Sequence, residues 1–233
     1  MKNLLFDLDG TLLPMNEDLF VKVYFGELTK KAKPYGFEEN KLTEVWWKGT
    51  AAMVKNDGSR SNEAAFWEVY QNEFGISKDK YYDVFIDFYL NEFNIAISAC
   101  RPNKLANEII TICKEKGLRL FLATNPIFPK EATENRIRWA GLNPSDFDDI
   151  TTYETSCYCK PNLAYYQSIL DRHNLVSQET MMIGNDVQED LISKQLGLTT
   201  FLVTDCLLNR KEEEIITDYQ GSLSDLLEFI KKI

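Results

Sequence analysis

Two carboxylates stand two residues apart in Asp7-Leu8-Asp9-Gly10-Thr11, and an extended backbone would send both side chains the same way. Acids aimed at one point repel each other, so the pair calls for a hard cation, a shared proton, or both. Gly10 lets the chain turn sharply just beyond them. Taken alone, the pentapeptide also reads as a strand ending in a solvated Asp-Gly turn. Three more polar clusters have the same character. Thr124-Asn125-Pro126 ends the apolar run 118–123, and Gly184-Asn185-Asp186, with Asp190 four residues on, ends Met181-Met182-Ile183. Lys160 stands before Pro161, a residue favoured in the first turn of a helix. Each has a plainer reading: a Thr-Asn-Pro turn, a helix-capping Asp186, an Asp190–Lys194 surface pair, and a solvated lysine.

The four clusters together resemble the motifs of the haloacid dehalogenase-like hydrolase superfamily. D-x-D-G-T is matched by Asp7 to Thr11, the strand-end Thr by Thr124, the Lys at a helix start by Lys160, and G-x-D plus a second acid by Gly184-Asn185-Asp186 and Asp190. The match spans residues 1–15 and 99–205. The resemblance implies a phosphatase in which the Asp7 carboxylate attacks phosphorus and an aspartyl-phosphate forms. Asp9, its pKa raised by neighbouring acids, would protonate the leaving alcohol and then deprotonate water. Thr124 and Lys160 would complete the catalytic set, with Leu8, Asp9, Thr124, Asn125 and Lys160 contacting the substrate. The implied cofactor is Mg2+, held by the Asp7 carboxylate, the Asp9 main-chain carbonyl and Asp186, since Mg2+ favours oxygen ligands and bridges to phosphate. Asp190 either orients Lys160 or a metal-bound water, or pairs with Lys194.

An acid at position 9 points to phosphate esters, because superfamily members acting on carbon–halogen or phosphonate bonds have another residue type there. The expected substrate is a small phosphorylated metabolite. A phosphotransferase resembling the β-phosphoglucomutases is an alternative, but those have a His in the linker after the first motif and this chain has none. A noncatalytic binding module is a more distant alternative, and the filled catalytic positions count against it.

All these residues must be brought to one place. Apolar runs alternate with segments of helical spacing such as Leu105, Ile109, Ile110 and Cys113, which predicts an α/β fold with a doubly wound, Rossmann-like parallel sheet. Open sheets of this kind carry ligands at the C-terminal ends of their strands, where every cluster above falls. Strands are expected near 4–6, 118–123, 181–183 and 199–203, with a weaker one over 150–153 and a helix starting at Asp186. Residues 16–98 differ, being rich in Phe, Trp and helix formers, and read as an inserted helical bundle of about four helices. The expected division is a core of 1–15 and 99–233 and a helical cap of 16–98, joined through linkers near 12–17 and 96–101. In the cap, Lys48, Lys55 and Arg60 are candidates to contact the leaving group, although a solvated basic loop is the plainer reading of each.

Composition narrows the rest. The 233-residue chain has a formal net charge of -10, which disfavours nucleic acid and anionic membrane surfaces as partners. Five cysteines without a paired metal spacing argue against zinc and a disulfide framework, and a single histidine, His173, excludes a multi-histidine metal site. Cys157 and Cys159 are expected to pack, and His173 to end a helix. The short apolar N-terminus is no signal peptide, and no run of about 18 apolar residues occurs, so the cytoplasm is the expected compartment. Oligomeric state is not written in the pattern.

Overall fold

A computed structural model describes residues 1–233. Six parallel strands form one sheet in the order β3-β2-β1-β4-β5-β6. They are β1 (Asn3–Phe6), β2 (Arg119–Leu122), β3 (Asp149–Ile150), β4 (Thr180–Gly184), β5 (Thr199–Val203) and β6 (Tyr219–Gly221). The first strand is therefore central, paired with β2 on one side and β4 on the other. Alternate residues of the apolar runs serve opposite faces of the sheet. Leu4, Phe6, Leu120, Leu122, Met181 and Ile183 belong to the main core, with Ile109 of α5 (Lys104–Glu115) and Ile230 of α8 (Leu223–Lys232). Leu5, Phe121 and Met182 face the other way, onto Tyr165, Tyr166 and Ile169 of α7 (Leu163–His173).

Between β1 and α5 the chain is helical. It forms α1 (Glu17–Ala32), α2 (Glu39–Val54), α3 (Asn62–Phe74), α4 (Tyr82–Leu90) and a 3₁₀ run, Glu92–Ala99. The starts are set locally, since the side chains of Asn16 and Ser61 accept hydrogen bonds from the amides of Leu19 and Ala64. The aromatics then pack on one another, with the Trp46 ring 4.7 Å from that of Phe85 and Trp67 4.9 Å from Tyr70. The two connections to the sheet lie side by side: the Asn16 amide donates to the Ala99 carbonyl (2.9 Å) and the Arg101 amide to that of Pro14 (2.7 Å). The segment also rests on the loops beyond β3, for the amides of Asn62 and Glu63 donate to Ser156 O and Tyr153 O, both at 2.8 Å.

Two local expectations need correction. The strand expected over 150–153 is only Asp149–Ile150, because the Tyr153 amide leaves the sheet to bond Phe128 O at 3.0 Å. No helix starts at Asp186. Its carboxylate draws in the amides of Gln188 and Glu189, each at 2.9 Å, closing a tight turn, and a 3₁₀ helix begins only at Leu191. The edge strand β6 and helix α8 were not anticipated; β6 is three residues long and carries no apolar run.

Helices α2 and α3 meet at Gly49, where an added Cβ would lie 2.5 Å from the Phe66 ring. Gly49→Ala should overpack this contact and cost about 1–3 kcal/mol. Thermal unfolding followed by circular dichroism should show a midpoint lower by about 2–10 °C; an unchanged midpoint would mean that the two helices are not held this closely.

Candidate active site

Asp7 is the first residue beyond β1, and its amide is held by Ile183 O at 2.8 Å, so the neighbouring strand end fixes its position. One carboxylate oxygen receives the Lys160 ammonium at 2.9 Å. The Thr11 hydroxyl lies within donating distance of the other (3.1 Å) and of Asn185 Oδ1 (2.9 Å). Gly10 makes this approach possible. Its φ is +82°, and a Cβ there would sit 2.3 Å from Asn185 Nδ2.

Lys160 is only 1% exposed and bridges two acids, for its ammonium also donates to Asp190 Oδ1 at 2.7 Å. Burial by itself would lower the pKa of this lysine, but Asp190 and Asp7 override it and hold the ammonium charged. The same burial raises the Asp7 carboxyl and pushes Asp190 up to about 6, with Lys160 opposing both shifts. The second Asp190 oxygen accepts the Asp186 amide at 3.0 Å, and Gly184 leaves room for it, since a Cβ there would be 2.0 Å from that carboxylate. The Asp190–Lys194 surface pair considered from sequence does not form: Asp190 is buried against Lys160, and Lys194 pairs with Asp218. Burial also pushes Glu189 up to about 7.

Helix α7 braces the neighbouring loops from beneath. Tyr165 OH and Thr151 Oγ1 donate to the Thr124 carbonyl at 2.9 and 2.7 Å, and Tyr166 OH to the Glu189 carbonyl at 2.7 Å. The Asn125 side chain donates to Glu189 at 3.2 Å. The main-chain N–H groups of Leu8, Asp9 and Asn125 donate to no group of the chain, which leaves them available to an anion.

Asp9 and Asp186 each meet an arginine that the motif reading did not single out. Arg136 of α6 (Lys130–Trp139) is 1% exposed, lies 4.4 Å from the Phe128 ring and donates to Asp9. The Asp9 carboxyl is raised above the ordinary range by burial, with Arg136 opposing; desolvation, rather than the crowding of acids inferred from sequence, is the main cause. Arg210 pairs with Asp186 and reaches Glu17 at 3.0 Å, tying the first turn of α1 to the strand-end loop. Neither arginine belongs to a motif. Arg136 lies 127 residues from Asp9, and only the buried position of a charge on α6 marks it.

The donor set suits a hard cation. Asp7 and Asp186 follow adjacent parallel strands, and the Asp9 carbonyl accepts no hydrogen bond from the chain. The other Asp9 carboxylate oxygen, Oδ1, is buried without a partner. The acidic side chains do not form a ready-made three-carboxylate cluster, because Asp9 turns to Arg136 and Asp186 to Arg210.

A cavity of about 210 Å³ lies between the helical segment and the sheet edge, with Asp9 on its wall. Lys48, Lys55 and Arg60 do not line it. Lys48 pairs with Glu44 and Glu73 and Arg60 with Glu68, so two of the three cationic candidates are neutralised elsewhere. All five cysteines are free; Cys159 is buried and Cys157 partly so. His173 ends α7 as expected, with Nε2 2.7 Å from Asp149 of the edge strand β3, two strands away from β1.

The model of the family described as haloacid dehalogenase-like hydrolase matches residues 4–203. The chain belongs to this family. A curated relative, glyceraldehyde 3-phosphate phosphatase of Methanocaldococcus jannaschii, is 28% identical over 100% of this chain and 98% of its own. Among solved structures, a HAD phosphatase from Thermococcus onnurineus superposes with a TM-score of 0.60 at 18% identity, covering 99% of this chain and 98% of its own. A putative β-phosphoglucomutase from Thermotoga maritima gives 0.60 at 20% identity, with 100% of both chains covered. These two likenesses establish the shared fold.

Removing one member of a buried ion group leaves the others uncompensated, at a cost of about 3–5 kcal/mol. Lys160→Met should therefore destabilise the chain by about that much in urea unfolding at neutral pH, and adding Asp190→Asn should recover part of the loss. Equal stability of wild type and Lys160→Met would show that the bridge contributes nothing to folding.

Proposed function

We propose that the chain is a Mg2+-dependent phosphate monoester hydrolase acting on a small phosphorylated metabolite through an aspartyl-phosphate on Asp7. The observation that carries this is the buried Asp7 carboxylate, held by Lys160 at 2.9 Å with a second, pKa-raised acid two residues on. A carboxylate fixed at a strand end is a suitable nucleophile for splitting a difficult hydrolysis into two steps. In the first, Asp7 forms a bond to phosphorus as the bond to the ester oxygen breaks, and Asp9 delivers its proton to that oxygen. In the second, Asp9 takes a proton from water, the water oxygen bonds to phosphorus, and the Asp7 carboxylate leaves.

The unpaired N–H groups of Leu8, Asp9 and Asn125 are available to the phosphoryl oxygens, and Lys160 offsets negative charge beside Asp7. Thr124 sits at the same strand edge, its carbonyl fixed by Tyr165 and Thr151. Asp7, Asp186 and the Asp9 carbonyl would hold Mg2+, which would supply positive charge to the transferring group. Asp190, through Lys160 and the Asp186 amide, positions both sides of the site. Residues 16–98 act as the cap, joined to a core of 1–15 and 99–233 through the paired connections at Asn16 and Arg101, and exclude water during transfer.

Water is favoured over a second sugar hydroxyl as acceptor. The one histidine is held by Asp149 on the edge strand β3, two strands away from β1, and none stands in the linker after the first motif. Glyceraldehyde 3-phosphate belongs on the assay panel because a full-length relative is named for it.

With Mg2+, the purified protein should release phosphate from members of a phosphate-ester panel. Asp7→Asn should lower the rate by at least about a thousandfold while the circular dichroism spectrum is retained. Near-normal turnover by Asp7→Asn would remove Asp7 from its role.

A further inference from the structure

If Asp9 protonates the leaving oxygen, the alcohol part of the substrate must extend from Asp9 into the space that Asp9 borders. That space is the cavity of about 210 Å³ beneath the helical segment. Fifteen of its nineteen lining residues are hydrophobic, including Trp46, Trp47, Phe66 and Phe128. Most of the polar atoms on its wall already have partners. Trp46 Nε1 donates to Tyr24 OH at 2.8 Å, and the Tyr24 and Tyr89 hydroxyls share one hydrogen bond at 2.8 Å. Thr50 Oγ1 donates to Trp46 O at 3.0 Å, and Trp67 Nε1 to Tyr153 OH at 3.4 Å. The Tyr24–Tyr89 pair keeps one proton to offer a guest.

No lysine or arginine lines the cavity. Arg136, a buried cation outside the lining, is engaged by Asp9 and faces the Phe128 ring, and the second acid on the wall, Glu17, is paired with Arg210. A leaving group bearing a second phosphate or a carboxylate would find no countercharge here, and a polyhydroxylated one would lose hydration for few new hydrogen bonds. The neighbouring groove past Gly10 is no substitute, since it is lined by Glu17 and Asp18, without a cation and without Asp9. Size narrows the choice further. A cavity of about 150 Å³ holds benzene, so this one takes a ring with a short chain and is too small for a nucleoside.

We infer that the alcohol part of the substrate is uncharged and apolar, about the size of one aromatic ring on a short linker, and that it occupies the cavity between Asp9 and Trp46. The inference rests on the phosphatase reading above and specifies its substrate class. It sets this chain apart from a relative named for a small, polar triose phosphate.

The test compares kcat/KM for 2-phenylethyl phosphate, glycerol 3-phosphate and glyceraldehyde 3-phosphate with the purified full-length protein and Mg2+. All three release alkyl alcohols, so the ratios report recognition more than leaving-group reactivity. The phenylethyl ester should be preferred by roughly tenfold or more, as expected for burying an aromatic group. Trp47→Ala removes a half-exposed ring of the wall, packed 5.3 Å from Phe25, and should at least halve that preference with the fold retained. Equal or better turnover of either three-carbon ester, still abolished by Asp7→Asn, would overturn the inference and leave the phosphatase reading standing. So would a preference unmoved by Trp47→Ala. Absence of phosphate from every ester would overturn both.

Discussion

A lysine buried between two carboxylates governs the rest of this structure. Lys160 reaches Asp7 and Asp190 at 2.9 and 2.7 Å, from segments that follow different elements of the sheet layer. Buried charges are tolerated when they are paired and their remaining atoms are hydrogen-bonded. Here the remaining atoms are occupied by Thr11 and by the Asp186 amide. The need to bring these groups so close explains Gly10 and Gly184, because a Cβ at either would collide with a side chain of the network. The bridge carries one more negative than positive charge, and it keeps Asp7 and the Asp186 loop at one edge of the sheet.

A second pair of interactions takes up the other acids of that edge, and one of them reaches the helical segment. Arg136 meets Asp9 from α6, and Arg210 joins Asp186 to Glu17 in the first turn of α1. Both arginines hold acids of the motifs, and both come from positions that the motifs do not include. The acid two residues beyond Asp7 is thereby directed away from Lys160, toward the cavity, and the two carboxylates of one pentapeptide face different partners. That divergence separates an attacking group from a proton donor.

Floor and roof of the site differ in kind. Beneath lie charges, open N–H groups and tyrosines bracing loops through their carbonyls; above lie indole and phenyl rings whose polar atoms bond mainly to one another. Such a division suits a reaction in which the phosphoryl group needs donors and cations while the alcohol needs only a dry space. The fold itself is indifferent to that choice, since structures of similar shape include a HAD phosphatase and a putative phosphoglucomutase. The rings of residues 16–98 are where this chain's own character lies.

The strands and the residues beyond them were legible because local signals specify them: apolar runs mark buried strands, and Asp-Gly, Thr-Asn-Pro and Gly-Asn-Asp mark their ends. The four helices of the inserted segment were legible for the same reason, from its richness in helix formers and its apolar spacing. The edge strand β6 was not, because it is too short to carry an apolar run, and the expected helix at Asp186 gave way to a turn closed by its own side chain. Arg136 and Arg210 were hidden because their partners are far away in the chain, and an arginine has no local signature for the acid it will meet. For the basic residues of the helical segment the plainer reading holds at Lys48 and Arg60, which nearby glutamates neutralise. Residue types and order thus determined the chemistry available at the strand ends. Only tertiary packing decided which acid faced a lysine, which faced an arginine, and what lined the space beyond, since pairing and burial are properties of distances between segments.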